Sequence, residues 1–211
     1  MIVGIIDLGI NNLTSVQRAF TLSLETTDSI VVIESDSDMK RPDLIVLPGL
    51  GKFAAGMSEI RDRHLLDPIK RWTTEGSKLT GICLGMQLLG TSSEESIGVE
   101  GLNLIPSRIA RLPKNQGERI PHTGWAETNT VCDSQPFSAL ATNGDFYFVH
   151  SFHLIPNNEK DVLSRTPFGN KSFVSSVLSR NILGLQFHPE KSGTKGKKLI
   201  SEIIEWARIE N

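Results

Sequence analysis

Leu79-Thr80-Gly81-Ile82-Cys83-Leu84-Gly85-Met86-Gln87-Leu88-Leu89 is the stretch that decides the fold. Its first four residues read as a buried strand. Leu84, Leu88 and Leu89 then fall at apolar helix positions, so strand passes to helix at Cys83. Gly81-x-Cys83-x-Gly85 is the nucleophile-elbow arrangement with cysteine in the nucleophile position. Both flanks must be small, because so sharp a turn brings neighbouring backbone close and holds the nucleophile in strained torsions. The helix N-terminus beneath the sulfur favours a thiolate and offers the Leu84 N–H to a developing oxyanion. A buried structural cysteine between ordinary turn glycines has the same spelling, so the motif needs support from the rest of the chain.

The same texture recurs towards the N-terminus. Ile2 to Ile6 is apolar on both parities, the mark of a strand covered on both faces. Leu13, Val16, Phe20 and Leu24 follow at helical spacing behind an Asn12 cap, and Ile30 to Ile33 reads as a second buried strand. Leu44 to Leu47 is a third, ending in Pro48-Gly49-Leu50-Gly51. This alternation points to an open α/β sheet with right-handed crossovers. From about residue 100 the runs become short and aromatic: Leu102 to Leu112, Trp125 to Thr130, Phe146 to Val149 and Phe173 to Leu178 suggest antiparallel strands. A last strand, Ile182 to Phe187, precedes a helix with Leu199, Ile203, Trp206 and Ala207 on one face. The expected fold is therefore α/β, a single domain over residues 1–211, with a mostly parallel open sheet flanked by helices and extended by antiparallel strands.

Composition excludes several classes of function. Of 211 residues 38% are apolar, which supplies a core for one domain and argues against disorder. Lys and Arg total 22 against 24 Asp and Glu, and a net charge of −2 speaks against a nucleic-acid partner. The two cysteines, in GICLG and TVCDS, form no disulfide framework and share no metal-ligand spacing, so no metal is expected and a reducing, cytoplasmic setting is. MIVGII reaches Asp7 without a basic leader, and no apolar run approaches the roughly eighteen residues of a membrane span. Neither a P-loop nor a G-x-G-x-x-G occurs, so no nucleotide cofactor is expected.

A thiol nucleophile needs a base and a group to orient that base. Gly184-Leu185-Gln186-Phe187-His188-Pro189-Glu190 supplies both, since residues i and i+2 of an extended segment share a face and Pro189 keeps the backbone out of helix. His188 takes the thiol proton and later protonates the leaving amine; Glu190 sets the imidazole tautomer. His64, His122 and His153 lack such support and read as surface or loop residues, and Cys132 has no comparable setting.

GICLGMQLL (Gly81 to Leu89) and GLQFHPEKSG (Gly184 to Gly193) together resemble the triad-type, class-I glutamine amidotransferases, which release ammonia from glutamine through a γ-glutamyl thioester. Within that superfamily the chain is similar to the glutaminase subunits of imidazole glycerol phosphate synthase, a histidine-pathway enzyme whose second subunit is a TIM-barrel cyclase. The resemblance extends over LPGLGKFAAGM (Leu47 to Met57), GLNLIPSRIARLP (Gly101 to Pro113), PHTGW (Pro121 to Trp125) and FYFVHSFH (Phe146 to His153). It implies a flavodoxin-like fold, Cys83, His188 and Glu190 as the triad, and an oxyanion site on the backbone of Leu50, Gly51 and Leu84, with an N–H near Leu50 turning inward to complete it. Glutamine would be held by Gly49, Gln87, Glu95 and by His150, Ser151 and Phe152. Trp125 and Lys191 would face the synthase (cyclase) subunit in a heterodimer.

The family pattern breaks at two places. Where relatives read Asp-Tyr-Gly-x-Gly-Asn, this chain has Asp7-Leu8-Gly9-Ile10-Asn11-Asn12, and a usual Gly-Trp-Asn is Gly124-Trp125-Ala126. By resemblance both segments face the partner. Two ammonia acceptors therefore stay open: the cyclase, or a different synthase, such as a sugar-amidating enzyme of surface-polysaccharide synthesis. A catalytically idle scaffold subunit is disfavoured by the intact triad.

Overall fold

The computed structural model describes residues 1–10, 13–35, 41–114, 119–131, 136–141 and 144–209; Asn11, Asn12 and Cys132 lie outside them. Its strands, in chain order, are β1 (Ile2–Ile6), β2 (Ser29–Ile33), β3 (Leu44–Gly49), β4 (Lys78–Cys83), β5 (Ser92–Ser93), β6 (Ser107–Arg111), β7 (His122–Glu127), β8 (Asn129–Thr130), β9 (Asp145–His150), β10 (Phe152–Pro156), β11 (Val162–Phe168), β12 (Lys171–Ser179) and β13 (Ile182–Leu185). The α-helices are α1 (Leu13–Thr21), α2 (Phe53–Asp62), α3 (Leu66–Thr74), α4 (Leu84–Leu88), α5 (Ser138–Ala141) and α6 (Gly193–Arg208).

Side chains of a strand alternate between faces, so strands apolar at every position need a hydrophobic layer on each side. β1 and β3 show the division. Val3, Ile5, Leu44 and Val46 enter a core with Val16 and Phe20 of α1 and Leu199 and Ile203 of α6. Ile6, Ile45 and Leu47 enter another with Phe53 and Met57 of α2, Ile69 and Trp72 of α3, and α4. Full burial of such side chains is worth about 1.5–3 kcal/mol each, and that term holds the three layers together. The strand order is β2-β1-β3-β4-β13-β12-β11-β8: the first five are parallel, and β12, β11 and β8 continue the sheet antiparallel. A three-stranded sheet (β10-β6-β5) and a two-stranded ribbon (β7-β9) complete the fold. No helix among the described residues is long and apolar enough to cross a membrane.

Several elements differ from the sequence expectations. Ile30 to Ile33 is not a buried strand: β2 is the sheet edge, with Val31 37% exposed, because apolar β-branched residues suit an edge as well as a centre. Within Leu102 to Leu112 only Ser107–Arg111 is strand. The preceding loop caps α4, with the Leu102 N–H donating to the Leu88 carbonyl and those of Leu104 and Ile105 to the Leu89 carbonyl, at 2.9 to 3.0 Å. β10 and β11 escape sequence reading, since polar residues and Pro167 interrupt their apolar runs.

Candidate active site

β3, β4 and β13 end side by side, and their C-terminal edges carry Gly49, Cys83 and the approach to His188. The glycines of the elbow are required by close approach. A Cβ on Gly85 would lie 1.7 Å from the Leu47 carbonyl oxygen, and one on Gly81 would lie 2.8 Å from the Gly85 carbonyl and the Met86 nitrogen. Gly85→Ala is therefore expected to lower stability by about 3 kcal/mol or more, a fall in Tm of roughly 6 to 12 °C for a chain of this size; a thermal melt unchanged from the parent would contradict the packing. Cys83 itself adopts φ 55°, ψ −108° at the N-cap of α4. For a residue with a Cβ that conformation costs on the order of 1–3 kcal/mol, and it lifts the sulfur out of the sheet. Sγ lies 3.8 Å from the Val149 carbonyl oxygen and 3.9 Å from Gln186 Nε2.

His188 continues from β13 in extended backbone, and Nδ1 stands 2.7 Å from Glu190 Oε1 with both side chains at most 3% exposed. Their meeting is not the i, i+2 register of an extended segment. Pro189–Lys191 is a 3₁₀ turn opened by the proline, whose fixed φ suits a helical first position, and the turn swings Glu190 back to the imidazole. With its Nδ1–H on the carboxylate, the ring leaves Nε2 for proton exchange, and that nitrogen is buried with no hydrogen bond of ordinary geometry. Burial alone would lower the His188 pKa. The looser interaction with Cys83, and then Glu190, outweigh it and raise the group to about 9. The imidazole therefore holds a proton firmly beside the sulfur, as a base for a thiol must.

A cavity of about 180 Å³ opens over the elbow, lined by Leu50, Gly51, Cys83, Leu84, Gln87, Glu95, Pro121, Val149, His150, Ser151 and Phe152. This is below the roughly 300–1,000 Å³ of drug-sized sites and suits a small polar molecule. A larger hollow, about 1050 Å³, lies at the opposite ends of β4 and β13 around Thr73, Asn103 and Arg180, and its lining holds neither a cysteine nor a histidine. Gln87 Nε2 donates to the Phe152 carbonyl at 2.9 Å, and Glu95 Oε2 accepts from the Phe53 N–H at 2.8 Å. His150 Nδ1 also meets the Phe152 carbonyl, at 2.9 Å. Burial lowers the His150 pKa to about 3 despite that bond, so the ring is neutral. An unfolded chain binds this proton near 6.5 and the native chain does not, so folding loses stability as pH falls from 6.5 towards 3.

Gly49 packs against α4, where a Cβ would stand 3.0 Å from that of Leu84, and Gly51 takes φ +104°. The expected oxyanion donor at Leu50 is engaged elsewhere: its N–H donates to the Ile10 carbonyl at 3.2 Å. The Leu84 N–H, in the first turn of α4, has no intrahelical acceptor by position.

Residues 5–205 match the family model described as glutamine amidotransferase class-I. The chain belongs to the class-I glutamine amidotransferase family. It is 36% identical over 208 residues to imidazole glycerol phosphate synthase subunit HisH of Prochlorococcus marinus, covering 99% of this chain and 96% of that one. The similarity to HisH of Moorella thermoacetica is 35% over 206 residues, covering 98% and 95%. Among solved structures, PurLQS from Thermotoga maritima superposes with a TM-score of 0.73 at 19% identity, covering 98% and 99%. As a member of this family the chain is an enzyme with glutaminase activity.

Some sequence expectations need correction. Leu8, expected on the partner side, is fully buried in the layer with Phe53 and Met57, so its exchange for the family's aromatic is a matter of packing. His122 and His153 are half-buried strand residues whose rings pack against Phe173, not surface or loop positions; His64 is exposed. Gln186, read only as part of a motif, is fully buried with its amide between Cys83 and Gln87. The signal for it was its i, i+2 relation to His188.

Proposed function

We propose that this chain, one domain over residues 1–211, is the cytoplasmic glutaminase subunit of an imidazole glycerol phosphate synthase, with Cys83, His188 and Glu190 as its catalytic triad. The observation that carries the chemistry is the buried Glu190–His188 pair beside a strained elbow cysteine above a cavity of amino-acid size. The similarity to HisH subunits over nearly the whole chain supports the pathway.

Glutamine enters with its side-chain amide over Cys83, held by Gln87, Glu95 and the backbone of His150, Ser151 and Phe152. Sulfur attacks the amide carbon with the thiol proton already held on His188, and the Leu84 N–H stabilises the oxyanion. His188 returns the proton to the amide nitrogen, ammonia leaves, and a γ-glutamyl thioester remains on Cys83. Water, deprotonated by His188, then releases glutamate and restores the thiol.

Ammonia is passed to a TIM-barrel cyclase subunit docked on the β7–β9 ribbon. Trp125 is 56% exposed there, edge-to-face with Tyr147 at 5.9 Å, and Lys191 Nζ stands 5.9 Å over the same Tyr147 ring. An exposed tryptophan in such a cluster is what an interface anchor looks like before it is covered. The Tyr147 carbonyl also accepts the His188 N–H at 2.9 Å, which joins this surface to the triad. The Leu50 N–H has to leave Ile10 to complete the oxyanion site, a rotation that Gly49 and Gly51 permit.

Reconstitution tests this. Mixed with the cyclase subunit of its own organism, the chain should support glutamine-dependent product formation. Alone, it should hydrolyse glutamine roughly 100- to 1,000-fold more slowly than with the liganded partner, the worth of one oxyanion donor. Trp125→Ala should weaken the complex by about 30-fold, as expected for a hot-spot residue. Coupling only to another amidating synthase would replace the cyclase as partner, and full turnover by the isolated chain would refute the gating.

A further inference from the structure

The Phe152 carbonyl can only accept hydrogen bonds, and it accepts from His150 Nδ1 and from Gln87 Nε2. Gln87 is thereby oriented, and the same nitrogen also donates to Gln186 Oε1 at 3.2 Å. Gln186 is oriented in turn: its oxygen receives, so its Nε2 points away, to 3.9 Å from Cys83 Sγ. Turning either amide over would set like groups against each other where Gln186 is 0% and Gln87 5% exposed. Polarity thus runs from one backbone carbonyl, through two amides, to the nucleophile.

We propose that Gln186 is a positioning residue that donates its N–H to the Cys83 sulfur, favouring the anion, and holds Gln87 with its Oε1 as the acceptor offered to substrate. The geometry suits the task. Cys83 and Gln87 lie one helical turn apart, so a single amide spans them. Gln186 shares a face of the extended chain with His188, while Leu185 and Phe187 turn into the core, Phe187 stacking on Phe146 at 4.0 Å. An N–H to a sulfur anion is charge-assisted and stronger than one to a thiol, so its removal penalises the reactive form. With both Gln87 hydrogens engaged, a substrate meets an acceptor there, which selects an α-ammonium group over a carboxylate.

The inference rests on Cys83 being the nucleophile proposed above, and its test separates the two. Alkylation of Cys83 by iodoacetamide across pH, read by mass spectrometry on the full chain, needs neither glutamine nor partner. Gln186→Met keeps the volume and removes both amide groups; Gln186→Glu keeps an acceptor for Gln87 and loses the donor. The pH of half-maximal alkylation should rise by about one unit in the Met variant, a tenfold loss of reactive sulfur at neutral pH, and by more in the Glu variant. In the reconstituted complex kcat should fall roughly tenfold in both, while KM rises clearly only in the Met variant, where the Gln87 clamp is released. An alkylation midpoint unmoved in either folded variant overturns the role, and the Glu variant decides alone should the Met variant not fold. A midpoint that shifts as expected in a complex that hydrolyses no glutamine upholds this role and refutes the function.

Discussion

Cys83→Ala is expected to abolish glutamine hydrolysis, by a factor on the order of 10⁴ to 10⁶, while the partner's reaction with free ammonia continues. Removal of the sulfur deletes the thioester route outright, and no other described side chain shares its place on the elbow. The substitution is also mild for the fold: Cys83 is only 4% exposed, but its torsions are set by Gly81 and Gly85, which remain. A glutamine-mimicking diazo-ketone should label Cys83 stoichiometrically in the parent and nothing in the variant. Label on Cys132 with Cys83 spared, or glutamine turnover surviving in the alanine variant, would remove Cys83 from the mechanism.

His188→Ala should cost nearly as much, because nucleophile and base act as a unit. Glu190→Gln should be roughly one to two orders of magnitude milder, since an orienting group that keeps its shape still holds the ring. The pH profile distinguishes orientation from charge. His188 is raised to about 9 against its burial, by Cys83 first and Glu190 second. A proton-donating imidazolium is lost above that value, so kcat for glutamine should decline on the alkaline side near pH 9. Without the Glu190 charge the protonated ring loses one of its supports. Its pKa then falls, and the alkaline limb should move to lower pH in the Glu190→Gln complex. A limb that stays in place would mean that Glu190 acts by shape alone.

How much of this was legible depended on distance along the chain. The centre of the parallel sheet could be read because the apolar runs of β1 and β3, on both parities, are covered by a layer on each side. The elbow could be read because its constraint is partly local: a Cβ on Gly81 would lie 2.8 Å from the backbone of Gly85 and Met86, a few residues on. The histidine and glutamate could be paired from their spacing, although the 3₁₀ turn that joins them could not. β2 at the edge, the burial of Leu8 and the loop capping α4 were hidden, since each is set by which element packs beside it and not by its own residue pattern.

By itself, then, the sequence determined the α/β layering and the family, and it offered Cys83, His188 and Glu190 as the candidate nucleophile, base and orienter. Tertiary structure alone decided how these groups are poised. Gln186 meets Gln87 across 99 residues, Gln87 meets Phe152 across 65, and Leu50 rests on Ile10 from a neighbouring strand end. The physical reason is that a strand or helix period governs neighbours within about one turn or two residues, whereas the direction of a buried amide is chosen by whichever distant donor or acceptor the packed fold places against it.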